Sequence, residues 1–184
     1  MKFSSRWEPT RFAELTCVSF VLQLALLAGA RTVIVSDPSA PRRELATEFG
    51  AHLTVDPTTE NLAAIVSDMT GGLGMDSIIL CIGVPSLVNN AFHLARQSGR
   101  INLFAGLASK GWAEVEANLI HYKELEVTGS ANSRRADFQM ALQLIESGRI
   151  NVELMVTDRY PLRAAHEALD KAASGEGIKI AVLP

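Results

Sequence analysis

The sequence predicts an α/β fold, a doubly wound parallel sheet with helices on both faces, and three observations carry that prediction. The first is Thr32-Val33-Ile34-Val35-Ser36-Asp37, an apolar run that stops on a carboxylate. Val and Ile without an intervening charge read as a strand buried on both faces, the habit of parallel sheets. The second is the alternation of such runs with helical segments at the spacing of strand–helix–strand crossovers. The third is the position of Asp37, since ligands of open α/β sheets bind outside the carboxyl ends of the strands.

The elements follow in order. Residues 1–17 show no clean period, whereas Phe20, Leu24 and Leu27, with Val21 and Leu22 beside them, make a broad apolar helical face that Gly29 ends. Lys2 and Arg6 ahead of the run Cys17 to Ala30, with Ala28-Gly29-Ala30 at its end, imitate a secretory leader. Glu8, Glu14 and Gln23 argue against one, and the run is too short to span a bilayer. The expectation is a packed helix in a cytoplasmic protein. After the strand at Thr32–Ser36, Ser39 is placed to cap a helix with Pro41 in its first turn, Leu45 and Phe49 on its inner face, and Gly50 at its end. Leu53-Thr54-Val55 is a short strand. A helix opening at Thr58 or Thr59 carries Leu62, Ile65, Val66 and Met69.

That helix leads to Gly71-Gly72-Leu73-Gly74, which imitates a phosphate-binding loop. A phosphate-cradling loop leaves a strand and enters a helix. This one leaves a helix and enters a strand, so it reads as a turn. Asp76 to Ile82 is the next buried strand. Pro85 starts a helix to about Arg96, and Ser98-Gly99 turn into a strand over Arg100–Gly106. A short helix near Asn118–Tyr122 precedes the strand Glu126–Gly129. Ser133 is placed to cap a long helix whose inner face carries Phe138, Leu142 and Ile145 and which stops at Gly148. The pattern then changes: an extended stretch to Tyr160-Pro161, a helix over Leu162–Ala173, and a strand from Ile178 to Val182. No crossover unit fits there, so this tail is expected to belong to another lobe.

With 184 residues, 48% of them apolar and 20% charged, the chain is long enough for one substantial core and a short appendage. A formal charge of −3 with mixed signs gives no case for nucleic acid. Cys17 and Cys81 lack any paired spacing and read as small buried hydrophobes. His52, His93, His121 and His166 lack metal-ligand spacing.

These residues together resemble a known family. Val33–Asp37, Asp76–Gly83, Gly99–Gly106, Asn118–Leu125 and the closing Gly175-Glu176-Gly177-Ile178-Lys179 are similar to the C-terminal half of zinc-type medium-chain dehydrogenases, with the sorbitol (L-iditol) dehydrogenase group nearest. The resemblance runs from Gln23 to Pro184 and implies a Rossmann-type NAD-binding domain at 21–148, followed at 149–184 by a segment returning to the catalytic lobe. It implies that Asp37 binds both ribose hydroxyls of NAD and disfavours the extra phosphate of NADP; the alternative is a strand-end or capping acid. Arg42 matches a residue that packs over the adenine ribose, or is an exposed helix arginine. Cys81-Ile82-Gly83 matches the passage by the adenosine, and Ala105-Gly106-Leu107 lies toward the nicotinamide. Glycine at these points lets backbone approach the cofactor, although each is also readable as a tight turn. Ser130-Ala131-Asn132 matches a segment that bonds the carboxamide.

The chain also departs from the family. The glycines of its G-x-G-x-x-G turn would fall on Ala13, Leu15 and Val18, and nothing resembles the lobe whose Cys, His and Glu side chains hold zinc. Without that metal nothing polarises the substrate oxygen, so catalysis by this chain alone is not expected. Omitting the first strand would leave a gap of roughly 9 to 10 Å in the sheet, orphaning backbone groups at about 1–3 kcal/mol apiece. A makeshift strand at Leu15–Val21, a strand from another chain, or closure of the sheet would repair it. Residues 1–20 are expected not to be family sequence, through a displaced reading frame or a misassigned start. Three functional readings stay open: a truncated NAD-binding portion of a polyol or alcohol dehydrogenase, the same portion of a threonine or other secondary-alcohol dehydrogenase, and a non-catalytic module that dimerises through the sheet edge near Glu126–Gly129.

Overall fold

The computed structural model describes residues 14–107, 111–174 and 177–184. The elements are α1 (Glu14–Leu27), β1 (Ile34–Ser36), α2 (Ala40–Glu48), β2 (Leu53–Val55), α3 (Leu62–Met69), β3 (Met75–Leu80), α4 (Pro85–Leu94), β4 (Ala95–Leu103), α5 (Ala117–Lys123), β5 (Glu126–Gly129), α6 (Arg135–Glu146), β6 (Val156–Pro161), α7 (Ala165–Ser174) and β7 (Lys179–Leu183). Every ladder is parallel: β1 with β2, β4 between β3 and β5, and β6 with β7.

The alternation expected from the sequence is therefore present, and the sheet it builds is split. In a doubly wound sheet the first strand lies between the second and the fourth. Here β1 and β2 hold the places of the second and third strands, and β3, β4 and β5 those of the fourth to sixth. Among the described residues no strand joins β1 to β3. The interior divides at the same place. One cluster gathers Leu22, Val35, Leu45, Phe49 and Met155 around β1. The other gathers Val88, Phe92, Ile101 and Leu125 around β4. Strand β3, expected to be a buried strand, has Ser77 exposed and Ile79 42% exposed. The makeshift strand proposed at Leu15–Val21 is not formed, because these residues lie within α1. Of the segment expected not to be family sequence, residues 1–13 lie outside the described residues.

Several boundaries move for local reasons. Helix α3 begins at Leu62 rather than at Thr58 or Thr59, because Thr58 is folded back: its N–H and hydroxyl both donate to Asp56 Oδ1. Asn61 is the cap instead, accepting the Ala64 N–H at 3.1 Å. Ser39 holds the N-cap position of α2 without a side-chain capping bond. Arg134, not Ser133, precedes α6, and its N–H donates to Asp137 Oδ2 at 2.9 Å. The inner face expected on α6 is not covered: Phe138 is 62% and Leu142 42% exposed, and only Ile145 is half-buried. Helix α4 stops at Leu94, two residues short of the expected Arg96.

Contrary to the expectation that no crossover unit fits the tail, β6, α7 and β7 form one: the two strands pair in parallel and α7 packs against both. The tail remains joined to the first cluster through Met155 and Ile178.

Candidate functional site

The parallel ladders bring the sequence-predicted residues to the carboxyl ends of their strands. Asp37 stands one residue beyond β1, its N–H donating to Val55 O at 3.1 Å. Its carboxylate is only 7% exposed as part of the residue, so its charge needs partners. Oδ1 accepts the Ser39 N–H at 2.8 Å, and Arg42 Nη1 lies 3.7 Å from Oδ2. Arg43 completes the corner, donating to the Asp37 carbonyl at 2.7 Å and reaching Asp56 Oδ2 at 3.2 Å. Asp56 is itself held below the usual carboxylate range by the Thr58 hydroxyl and N–H, with Arg43 contributing less. Pro38 and Pro41 explain how this corner is set from sequence: they stiffen the exit from β1 and start α2 with the arginines in its first turn. Arg42 is not the exposed helix arginine of the alternative reading, since its side chain is 15% exposed.

The second ladder supplies the remaining strips. Cys81 and Gly83 are buried immediately after β3, with Ile82 half-buried between them. Burial, and to a smaller degree Cys17, pushes the Cys81 thiol up to about 12, so it is a neutral, unreactive group. After β4 the N–H groups of Phe104 and Ala105 both donate to Leu80 O, at 3.1 and 3.0 Å, which draws Ala105-Gly106-Leu107 across the end of β3. A Cβ built on Gly106 would meet none of the described residues within 4 Å. That open space is what close approach of a cofactor requires. Leu107 packs against the second cluster. Ser130-Ala131-Asn132 leaves β5 exposed, with the Ser130 N–H on Leu103 O at 3.2 Å and Asn132 at φ +60°.

One contributor escaped the sequence reading. Asn102 Nδ2 donates to Thr128 Oγ1 and Ser130 Oγ, both at 3.0 Å, and Ser130 Oγ donates back to Asn102 Oδ1 at 3.2 Å. It fixes the direction in which the Ser130 strip leaves β5. The available signal was a polar residue between Ile101 and Leu103 in the strand expected over Arg100–Gly106.

The fit to a dinucleotide is uneven along its length. Where the resemblance implies the ribose there is a buried acid, Asp37, and where it implies the nicotinamide there is an open glycine, Gly106. The pyrophosphate place does not match, because Ala13, Leu15 and Val18 stand where glycines would be. Of these, Val18 is turned into the first core cluster; Ala13 and the Leu15 side chain lie outside the described residues. A zinc centre does not fit either: among the described residues no three His, Cys, Asp or Glu side chains are grouped to hold a metal. His52 instead accepts the Val33 N–H on Nδ1 at 3.1 Å. Among the described residues no helix is long and apolar enough to cross a membrane.

Comparison with known proteins agrees with this arrangement. Residues 19–147 match the family model of the zinc-binding dehydrogenases. D-Arabitol-phosphate dehydrogenase of Enterococcus avium is 32% identical over 164 residues, 89% of this chain and 46% of that protein. Sorbitol dehydrogenase of Halalkalibacterium halodurans is 29% identical over 157 residues, 83% of this chain and 45% of that protein. A zinc-binding dehydrogenase structure from Sinorhizobium meliloti, solved with NADP bound, superposes with a TM-score of 0.80 at 33% identity, covering 89% of this chain and 48% of that one. The chain thus spans about half the length of the curated relatives it matches. A family match over most of the chain, on a parallel α/β scaffold that superposes on a solved member, places this protein in the zinc-binding dehydrogenase family.

Proposed function

We propose that the chain is the NAD-binding portion of an alcohol or polyol dehydrogenase whose complete reaction oxidises a secondary alcohol to a ketone. The observation that carries this reading is Asp37, a buried carboxylate at the carboxyl end of a parallel strand with Arg42 beside it. A carboxylate there accepts hydrogen bonds from two ribose hydroxyls and repels a 2′-phosphate, which favours NAD over NADP. Cys81–Gly83 would follow the adenosine, Ala105–Leu107 would border the nicotinamide, and Ser130–Asn132 would meet the carboxamide. The reading assigns the chain cofactor binding and no catalytic or metal-binding residue. It extends to a cytoplasmic protein acting on a small alcohol.

Titration calorimetry of the full chain with NAD and NADP tests it. The expected result is weak binding, because the pyrophosphate turn lacks its glycines, with NAD preferred and the preference removed in Asp37→Ala. NAD binding that Asp37→Ala leaves unchanged would overturn the assignment.

One observation favours a second role alongside the first. Strand β5 is a sheet edge whose four residues, Glu126–Gly129, are all exposed, and an open edge of this kind pairs readily with its symmetry mate. Dimers that dissociate on Val127→Pro, measured by analytical ultracentrifugation, are the expected outcome, and an unchanged mass distribution would remove the role.

A further inference from the structure

Leu107, at the end of the Ala105–Leu107 strip, and Ala113, ahead of α5, pack against the same core cluster, and one residue ties the start of α5 to α4. Glu116 is the N-cap of α5. Its Oε1 accepts from Asn89 Nδ2 at 3.2 Å and lies 2.7 Å from His93 Nε2, and its N–H donates to Asn89 Oδ1 at 2.8 Å. Asn89 and His93 are four residues apart on α4, so one helix face presents both. At the other end of α5, Lys123 Nζ donates to the carbonyls of Phe92, His93 and Ala95 at 3.0, 2.9 and 2.8 Å.

Within residues 111–116 the packing contact is Ala113, against the second cluster. Trp112 is 63% and Val115 41% exposed. Asn89, Glu114, Val115 and Glu116 line a shallow depression open to solvent. Ala113 fixes the middle of the stretch, and the polar contacts at Glu116 anchor its end, where Glu114 to Glu116 are exposed. Asn89 and His93 also hold the Glu116 carboxyl below its usual range, in keeping with a charged acceptor.

We propose that Asn89, His93 and Glu116 form a latch that positions residues 111–116 beside the nicotinamide end of the cofactor groove, with Glu116 as the positioning residue. The proposal rests on the cofactor reading above. Its prediction is selective: loss of the latch weakens a ligand that carries nicotinamide and spares one that ends at the ribose.

The test uses the full chain, wild type first, with NAD and ADP-ribose as probes and amide hydrogen exchange as an independent readout. In Glu116→Ala, exchange over residues 111–117 is expected to accelerate about tenfold while β1 and α2 stay unchanged. NAD affinity is expected to fall about fivefold with ADP-ribose affinity unaltered. Glu116→Gln keeps an acceptor for Asn89 and is expected to restore most of both. Unchanged exchange in Glu116→Ala, or equal weakening of the two ligands, would overturn the latch while leaving the cofactor reading intact. A wild-type chain that binds neither ligand would overturn the cofactor reading and the positioning role with it.

Discussion

Gln23 grips the backbone of Asn151 from both sides: its Nε2 donates to the Asn151 carbonyl at 3.1 Å, and its Oε1 accepts the Asn151 N–H at 2.7 Å. Gln23 is only 9% exposed, so the pair is a polar bolt between α1 and the entry to β6. A third contact, Nε2 to Ser19 O at 3.4 Å, steadies the amide. Truncating one side of such a pair strands the other in the interior. Gln23→Ala is expected to lower stability by about 2–3 kcal/mol, read as an earlier urea midpoint, and Gln23→Glu to lower it as well, because a carboxylate cannot donate to the Asn151 carbonyl.

That bolt also shows where sequence reading stops. The parallel scaffold and Asp37 were legible because both are local: an apolar run and the charge that ends it occupy six consecutive positions, Thr32–Asp37. The Gln23–Asn151 pair joins positions 128 residues apart, and no local pattern reports it. Asn89, His93 and Glu116 are hidden in the same way. Helix α6 illustrates a different limit. Phe138, Leu142 and Ile145 fall at helical spacing and so mark a correct apolar face, yet periodicity records only which residues share a face. Whether another element covers that face is settled by the packing, and around Phe138 nothing described does so. The split of the sheet was legible for the opposite reason, since a strand missing from the described residues leaves a predictable place between β1 and β3.

The glycine turn after α3 gives a graded test. Gly72 and Gly74 have φ of +83° and +90°, a region that costs other residues about 1–3 kcal/mol. A Cβ on Gly72 would meet nothing within 4 Å, whereas one on Gly74 would lie 2.7 Å from Leu94 O and 2.9 Å from Arg96 N, both backbone atoms. Gly72→Ala is therefore expected to cost about 1 kcal/mol and Gly74→Ala about 3 kcal/mol or more. Equal urea midpoints for the two variants would contradict the close passage of Gly74 against the α4–β4 junction.

Lys123 closes the far end of α4. Three acceptors around one ammonium, at 2.8 to 3.0 Å, cap carbonyls that a helix end leaves without partners. Lys123→Met keeps the aliphatic stem and removes the donor. It is expected to cost about 1.5–3 kcal/mol, the range for hydrogen bonds made by a charged group. Lys123→Arg is expected to recover only part of this, because a planar guanidinium cannot direct its donors at three acceptors as an ammonium does. Thermal unfolding of the three proteins at one ionic strength makes the comparison.

Cys81 makes stability depend on alkaline pH. Burial, with Cys17 adding a smaller push, raises its thiol from 9.0 to about 12, so the folded chain binds this proton more tightly than the unfolded chain. The stabilisation it contributes is fully present below about pH 9 and is lost as pH climbs through the interval up to about 12. Chemical unfolding at a series of pH values is expected to show stability declining across that interval, and the decline is expected to be shallower in Cys81→Ala. Reactivity gives the same answer by another route. At pH 8 the raised thiol is held in its neutral form, and the thiolate is the nucleophile. Iodoacetamide at that pH is expected to leave Cys81 unmodified in the folded chain and to label it promptly in urea, as read by peptide mass spectrometry. Rapid labelling of Cys81 in the native protein would show that the carboxyl end of β3 is open to solvent.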